Sequence, residues 1–327
     1  MKRIFVLFLC LMMVASLFGC GSAAPAETTA APEPTQSPEE QEVLKFLIIG
    51  NSHSNDAFWQ LFEVFKAQAP EQKVLIGILY YSGCPITKHV QFGMTGEKVY
   101  DYYRNSTGVW EHFEQSDMQS ALRDQKWDII FFQPSGDDIE YAKETRDALA
   151  NLVAADVDEP YDLYLHKSWV SPNDETFYSP TYDPQPPSGW RDKLVNRYGF
   201  DLVNYSNAMN ENVKTKLLDD DMFTKFIGTN AAIMHAHLIS GVPQLELWRD
   251  YTHLSDYGRL IVAYTLYSQI MDDPITEVKV ESIAAELRHR RAKVLGDMEV
   301  TDEMRQVIID AVKYAQEHPW ETPGQNS

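Results

Sequence analysis

An apolar run, Ile4 to Phe18, follows Met1, Lys2 and Arg3, and four further apolar stretches lie along the rest of the chain. These are Val43 to Ile49, Lys73 to Tyr80, Trp127 to Phe132 and Tyr161 to Val170, each nearly continuous rather than alternating. Continuous runs of that length predict strands covered on both faces, as in a parallel sheet. A fifth, weaker strand is predicted near Met222 to Ile227. Helical patterns fall between them at Ala57 to Gln68, Ser116 to Arg123 and Ala142 to Ala155. Strand and helix in alternation predict an α/β fold, a three-layer α/β/α sandwich around a doubly wound, mainly parallel sheet. Five prolines between Ser171 and Gly189 predict a loop without regular structure after the fourth strand. A helix is expected from Asp256 to Met271, and the amphipathic stretches Glu281 to Lys293 and Thr301 to His318 predict two closing helices.

The leading run is shorter than the roughly 20 apolar residues that a membrane-spanning helix needs. With its basic start it reads as an export signal over residues 1–19. Leu17-Phe18-Gly19-Cys20 resembles the lipobox of bacterial lipoproteins. That resemblance implies a lipid on Cys20 and an extracytoplasmic protein held to the cell membrane by that anchor alone; a cleaved signal with an incidental cysteine is the alternative. From Gly21 to Glu42 the chain is rich in Ala, Pro, Thr and Glu with little to bury, as a disordered tether would be. The expected organisation is therefore signal 1–19, anchor and linker 20–42, an α/β domain over 43–275, and a helical extension over 276–327 packed on that domain or appended to it. With Cys10 removed and Cys20 lipidated, Cys84 is the one remaining thiol, so no intrachain disulfide can form. The 48 acidic against 28 basic residues give a net charge of −20, which opposes binding to nucleic acid or anionic lipid.

Ligands of open parallel sheets bind beyond the carboxyl ends of the strands. The first strand ends in Gly50-Asn51-Ser52, where glycine permits a sharp turn and Ser52 sits at the mouth of a helix. A serine there is placed to attack a carbonyl, though it can equally be a helix cap. A hydroxyl needs a base, and the base needs a carboxylate to orient it. Asp250 and His253 offer both in an Asp-x-x-His spacing; alone, such a pair is also compatible with an ordinary turn.

Taken together these stretches resemble the SGNH/GDSL hydrolases. Gly50-Asn51-Ser52 is similar to block I, with Asn for the usual Asp; Tyr81-Ser82-Gly83-Cys84-Pro85 to block II; and Asp250-Tyr251-Thr252-His253-Leu254-Ser255 with Gly258 to block V. The match is closest to a branch known as a domain of unknown function, and it covers roughly residues 44–270. It implies an SGNH or flavodoxin-like fold, a catalytic triad of Ser52, Asp250 and His253, and an oxyanion hole from the N–H groups of Ser52 and Gly83. Block III departs: Gly-x-Asn-Asp is replaced by Phe132-Gln133-Pro134-Ser135-Gly136. Gln133 is then either the third oxyanion donor or a glutamine in a surface turn. The branch also suggests substrate contacts from Asn51, His89 and Trp169, with a core or capping role as the alternative for His89 and a half-buried strand-end position as that for Trp169.

The implied activity is ester hydrolysis through an acyl-enzyme, without metal or other cofactor, on acylated carbohydrate or another small ester. The rival is a non-catalytic surface lipoprotein that binds glycan or solute with the same fold. His53 is expected on the wrong face of its turn to act as the base. His235 and His237, two residues apart on a predicted helix, diverge by about 200° and suit no shared metal. Cys84 has no base nearby in sequence and reads as a small packed residue.

Overall fold

The computed structural model describes residues 42–134, 143–217, 221–284 and 297–324. The expected leader, Cys20 and most of the tether lie outside these residues. Five parallel strands form the centre: β1 (Leu44–Gly50), β2 (Val74–Tyr80), β5 (Ile129–Phe132), β6 (Asp162–His166) and β7 (Lys225–Ile227). Two more, β3 (Tyr100–Asn105) and β4 (Glu111–Ser116), run antiparallel beyond β2. The sheet order is β4-β3-β2-β1-β5-β6-β7. Its parallel part therefore steps one way from β1 to β2 and the other way from β1 to β5, β6 and β7, the flavodoxin-like winding. The crevice at this reversal opens beside the carboxyl end of β1.

Helices α1 (Ser52–Phe58), α2 (Leu61–Gln68), α8 (Thr229–Leu238) and α10 (Asp256–Met271) pack among themselves, while α3 (Ile86–Thr95), α4 (Met118–Arg123), α5 (Lys143–Asp156) and α7 (Leu202–Leu217) form the opposite layer. Two further helices, α6 (Trp190–Tyr198) and α9 (Gln244–Leu247), lie in the connections to α7 and α10. The predicted α/β/α sandwich with a mainly parallel sheet is what the chain adopts, the antiparallel pair β3 and β4 being an addition that was not expected.

The centre of the sheet is covered on both faces because β1, β2 and β5 carry long apolar runs. Phe46 to Ile49 and Ile129 to Phe132 are all buried. Phe46, Phe58, Phe65, Phe131 and Tyr164 form one aromatic cluster, with centroids 5.1–6.2 Å apart along it. Phe58 comes from α1, so the helix that carries Ser52 is seated in the core.

Several expectations needed correction. The helix predicted from Ala57 to Gln68 is two helices that meet at Trp59 and Gln60, and the first starts at Ser52. The loop after β6 contains one short 3₁₀ turn, Glu175–Tyr178, capped by the Asp174 side chain. The stretch from Glu281 begins as strand β8 (Ser282–Ala284), paired with β9 (Asp297–Glu299), where a helix was expected; its remainder lies outside the described residues. The last helix, α11 (Asp302–Glu317), forms as its pattern predicts and packs on α8 and α10, so the final segment is docked on the α/β unit.

Candidate active site

Gly50 ends β1 where no side chain would fit. A Cβ there would lie 1.9 Å from Ser54 Oγ and 2.8 Å from Gln133 Oε1. The turn that follows is capped by Asn51, whose Oδ1 accepts from His53 N at 3.0 Å. Ser52 thus opens α1 at the carboxyl end of β1. Beyond β2, Gly83 holds a left-handed conformation (φ 59°) that a residue with a side chain rarely adopts. The Asn51 amide donates to Cys84 O at 3.3 Å, and Tyr81 N donates to Gly50 O at 3.2 Å, so the first two strand-end loops are tied together. Ser52 and Gly83 both line one cleft of about 430 Å³, and neither of their N–H groups has a partner among the described residues.

The loop from Trp248 to Leu254 is closed by an antiparallel bridge between its ends. Inside it the Asp250 carboxylate accepts from Thr252 N at 2.9 Å and His253 N at 2.7 Å, and meets His253 Nδ1 at 2.9 and 3.1 Å. The Asp-x-x-His spacing makes a turn in which backbone and ring present their donors to one carboxylate. Burial alone would raise the Asp250 pKa, but the bonds from the His253 ring and from the two N–H groups outweigh it and hold the carboxyl below its usual range. His253 lines the same cleft as Ser52, and its Nε2 is buried without a hydrogen-bond partner among the described residues. The two stretches, two hundred residues apart, therefore meet at one cleft, with no Ser52–His253 hydrogen bond formed. Such bonds are often long in the free state and tighten on substrate binding.

Two arginines explain how the stretches are held. Asp56, one helical turn from Ser52, is buried. Its Oδ1 accepts from Arg249 Nη1 at 2.9 Å and from Arg259 Nε at 2.9 Å, and its Oδ2 from Leu254 N at 3.0 Å. Burial pushes its pKa up, yet Arg259 and Arg249 together hold the carboxyl far below the ordinary range. Asp56 thereby clamps α1 to the loop that carries His253 and to the first turn of α10. Sequence reasoning passed over it; Asp on the buried face of a short helix, with arginines flanking the Asp-x-x-His loop, was the available signal.

The remaining expected site residues are placed as follows. Gln133 is buried and does not line the cleft. Its Oε1 accepts from Asn51 N at 3.1 Å and Ser54 Oγ at 3.0 Å, and its Nε2 donates to Pro134 O at 2.7 Å. One of its two amide hydrogens is therefore given to its own neighbour, and Gln133 braces the turn before Ser52 from a position outside the cleft lining. Asn51 lines the cleft, but its side chain is committed to capping α1 and to Cys84. His89 is buried outside the cleft, with Nδ1 at 2.9 Å from Tyr100 Oη and its ring stacked on that tyrosine, so it is a core histidine rather than a substrate contact. Trp169 lines the cleft as a wall, only 1% exposed, and donates from Nε1 to Thr252 O at 2.8 Å. His53 also belongs to the cleft, contrary to the expected orientation. Its Nε2 lies 2.9 Å from Thr252 Oγ1, and its ring lies against Trp169.

Tyr80, Trp190, Tyr205 and Tyr251 add aromatic surface to the cleft, with Lys193 beside them. Trp190 and Lys193 come from α6, which sequence reasoning did not foresee; Lys193 Nζ lies 4.7 Å from the Trp190 ring centroid. Among the described residues no group of His, Cys, Asp and Glu has the arrangement of a metal site. His235 packs on Tyr314 and His237 bonds Val242 O, so the two rings have separate partners. No helix of the described residues is long and apolar enough to cross a membrane.

A family described as a domain of unknown function, DUF4886, matches residues 45–185, which takes in β1 to β6 and the turn of Ser52. Among solved structures, the chain is similar to a DUF4886 family protein from Bacteroides uniformis ATCC 8492, with a TM-score of 0.67 and 21% identity over 87% of this chain and 98% of that one. At that identity the likeness speaks for the fold. A gut microbial diltiazem-metabolizing enzyme is a more distant neighbour, with a TM-score of 0.34 and 12% identity over 70% of this chain and 47% of that one, too low to carry an argument. No curated protein matches the chain.

Proposed function

We propose that the protein is a serine esterase of the SGNH type that removes small acyl groups, acetyl above all, from carbohydrate outside the cytoplasm, held to the membrane by a lipid on Cys20. The observation that carries the reading is the His253 ring, fixed by Asp250 on one nitrogen and bare on the other, at the cleft that Ser52 also lines. Ser52 Oγ attacks the acyl carbonyl while His253 Nε2 takes its proton; the ring then returns it to the leaving sugar oxygen. Water hydrolyses the acyl-enzyme by the same exchange. The N–H groups of Ser52 and Gly83, which have no partner among the described residues, are the donors for the developing oxyanion.

The choice of carbohydrate is supported by the aromatic residues Tyr80, Trp190, Tyr205 and Tyr251 in the cleft lining, since aromatic faces suit the apolar faces of sugar rings. A glycan-binding role without catalysis would use the same walls and leave the bare imidazole nitrogen unexplained. Turnover of a short-chain nitrophenyl ester and of an O-acetylated sugar by the purified domain, with Ser52→Ala beside it, separates the two. The esterase reading expects turnover that falls by about 10⁴-fold or more in the variant. Equal rates in both proteins would leave the binding role standing.

A further inference from the structure

His53 is the second imidazole of the cleft, and the reaction just described does not use it. It follows Ser52 directly in the chain, and its Nε2 bonds Thr252, the residue directly before His253. One hydrogen bond of 2.9 Å thus joins the chain neighbours of the nucleophile and of the base. We propose that His53 is a positioning residue, which sets the separation of Ser52 and His253 by holding the Thr252 hydroxyl. The inference rests on the esterase reading.

Several contacts hold the two partners of that bond in place. Thr252 is pinned at three points: its N–H donates to Asp250 Oδ1 at 2.9 Å, its carbonyl accepts from Trp169 Nε1 at 2.8 Å, and its hydroxyl meets His53. Trp169 supports the other partner too, because its ring lies 4.8 Å from the His53 ring at 30°. The His53 backbone is held as well, its main-chain N–H donating to Asn51 Oδ1 at 3.0 Å. Its Nδ1 is buried without a partner among the described residues. A bare ring lone pair there is less costly than a bare N–H, so the proton belongs on Nε2, donated to Thr252 Oγ1.

The His53 ring stands edge-on to that of His253, 5.9 Å away at 89°. Two charged rings at that distance would oppose the imidazolium that His253 becomes in the reaction. Burial first, and His253 second, push His53 down to about 4, so it remains neutral across the range in which an esterase would work. A displacement of one ångström at a reacting centre costs about 100-fold in rate, which is the scale on which loss of this bond is felt.

The test is kinetic, on the soluble domain with the nitrophenyl ester. His53→Phe keeps a ring on Trp169 and deletes the bond; Thr252→Val deletes it from the other side. Each lowers kcat about 10–100-fold with KM within about twofold of wild type. The double variant is no worse than the poorer single one, since both remove the same interaction. His53→Gln, whose amide can still reach the hydroxyl, recovers most of kcat. Multiplicative losses in the double variant, a rise in KM at unchanged kcat, or no recovery by glutamine would overturn the inference while Ser52-dependent turnover left the esterase reading intact. Turnover that survives Ser52→Ala, or no turnover by wild type, would remove both.

Discussion

At the residue scale, the decisive property of Ser52 and His253 is what their neighbours have already committed. Asn51 bonds Gln133, Cys84 and the His53 N–H around the turn, which leaves Ser52 and its N–H to the cleft. Gln133 illustrates how a side chain of suitable chemistry can be engaged elsewhere: its oxygen takes two donors, its amide gives one hydrogen to Pro134 O, and it does not line the cleft. Gln133→Ala strands the Asn51 N–H and the Ser54 hydroxyl in a buried place, at about 1–3 kcal/mol for each orphaned donor. The expected result in urea denaturation is a clear drop of the midpoint. A variant of wild-type stability that lost only turnover would instead return Gln133 to the oxyanion hole.

At the element scale, the site depends on how α1 is fastened. A helix of seven residues is marginal by itself and is kept by what it packs against. Phe58 seats it in the aromatic core, and Asp56 joins it to Arg249 and Arg259. Asp56→Ala leaves two guanidinium groups poorly compensated, and a loss of about 3–5 kcal/mol is expected by chemical denaturation. The same change in a variant that still folds should lower turnover, because α1 and the His253 loop share this tie. Undiminished stability and turnover would show that the two are fastened otherwise.

Much of this scale was legible in the sequence. Four of the five parallel strands announce themselves because they lie in nearly continuous apolar runs, as burial on both faces demands, while β7, three residues beginning with Lys225, leaves only a weak signal. The hairpin of β3 and β4 was not legible: Tyr100 to Asn105 and Glu111 to Ser116 mix aromatic with charged residues, and β4 is almost wholly exposed. Helices α6 and α7 begin behind the proline-rich loop, with polar residues spread around them, so their period is faint. The triad candidates were legible as spacing alone. The orientations of His53 and Gln133 were not, since they follow from bonds to Thr252, Ser54 and Pro134 that no local pattern encodes.

At the scale of the whole molecule, several ionisable groups are buried in neutral form and make stability depend on pH. Lys167, at the end of β6, is 2% exposed, and its Nζ has no partner among the described residues. Burial brings its pKa from 10.5 down to about 7. The unfolded chain binds this proton below 10.5 and the folded one only near 7, so stability rises with pH between those values and the gain is lost on acidification. From pH 7 to 9 the rise attributable to Lys167 is about 2 kcal/mol, and Lys167→Met should flatten it and raise the melting temperature at pH 7. An unchanged pH slope in the variant would count against a neutral buried amine. His89 and His166, both pushed down to about 3 by burial, act in the same sense lower on the scale. Their contribution is complete above about pH 6.5 and declines as pH falls toward 3, which adds to acid lability.

The claim on which the enzymatic reading stands is that one hydroxyl, that of Ser52, is made nucleophilic by its surroundings. Its most direct test is the reaction of the domain with a serine-directed phosphonate at neutral pH, followed by mass spectrometry of the digested adduct. The account predicts a single adduct on the peptide that carries Ser52, lost in His253→Ala as well as in Ser52→Ala. An adduct on another serine, or an unlabelled protein with its fold intact, would contradict it.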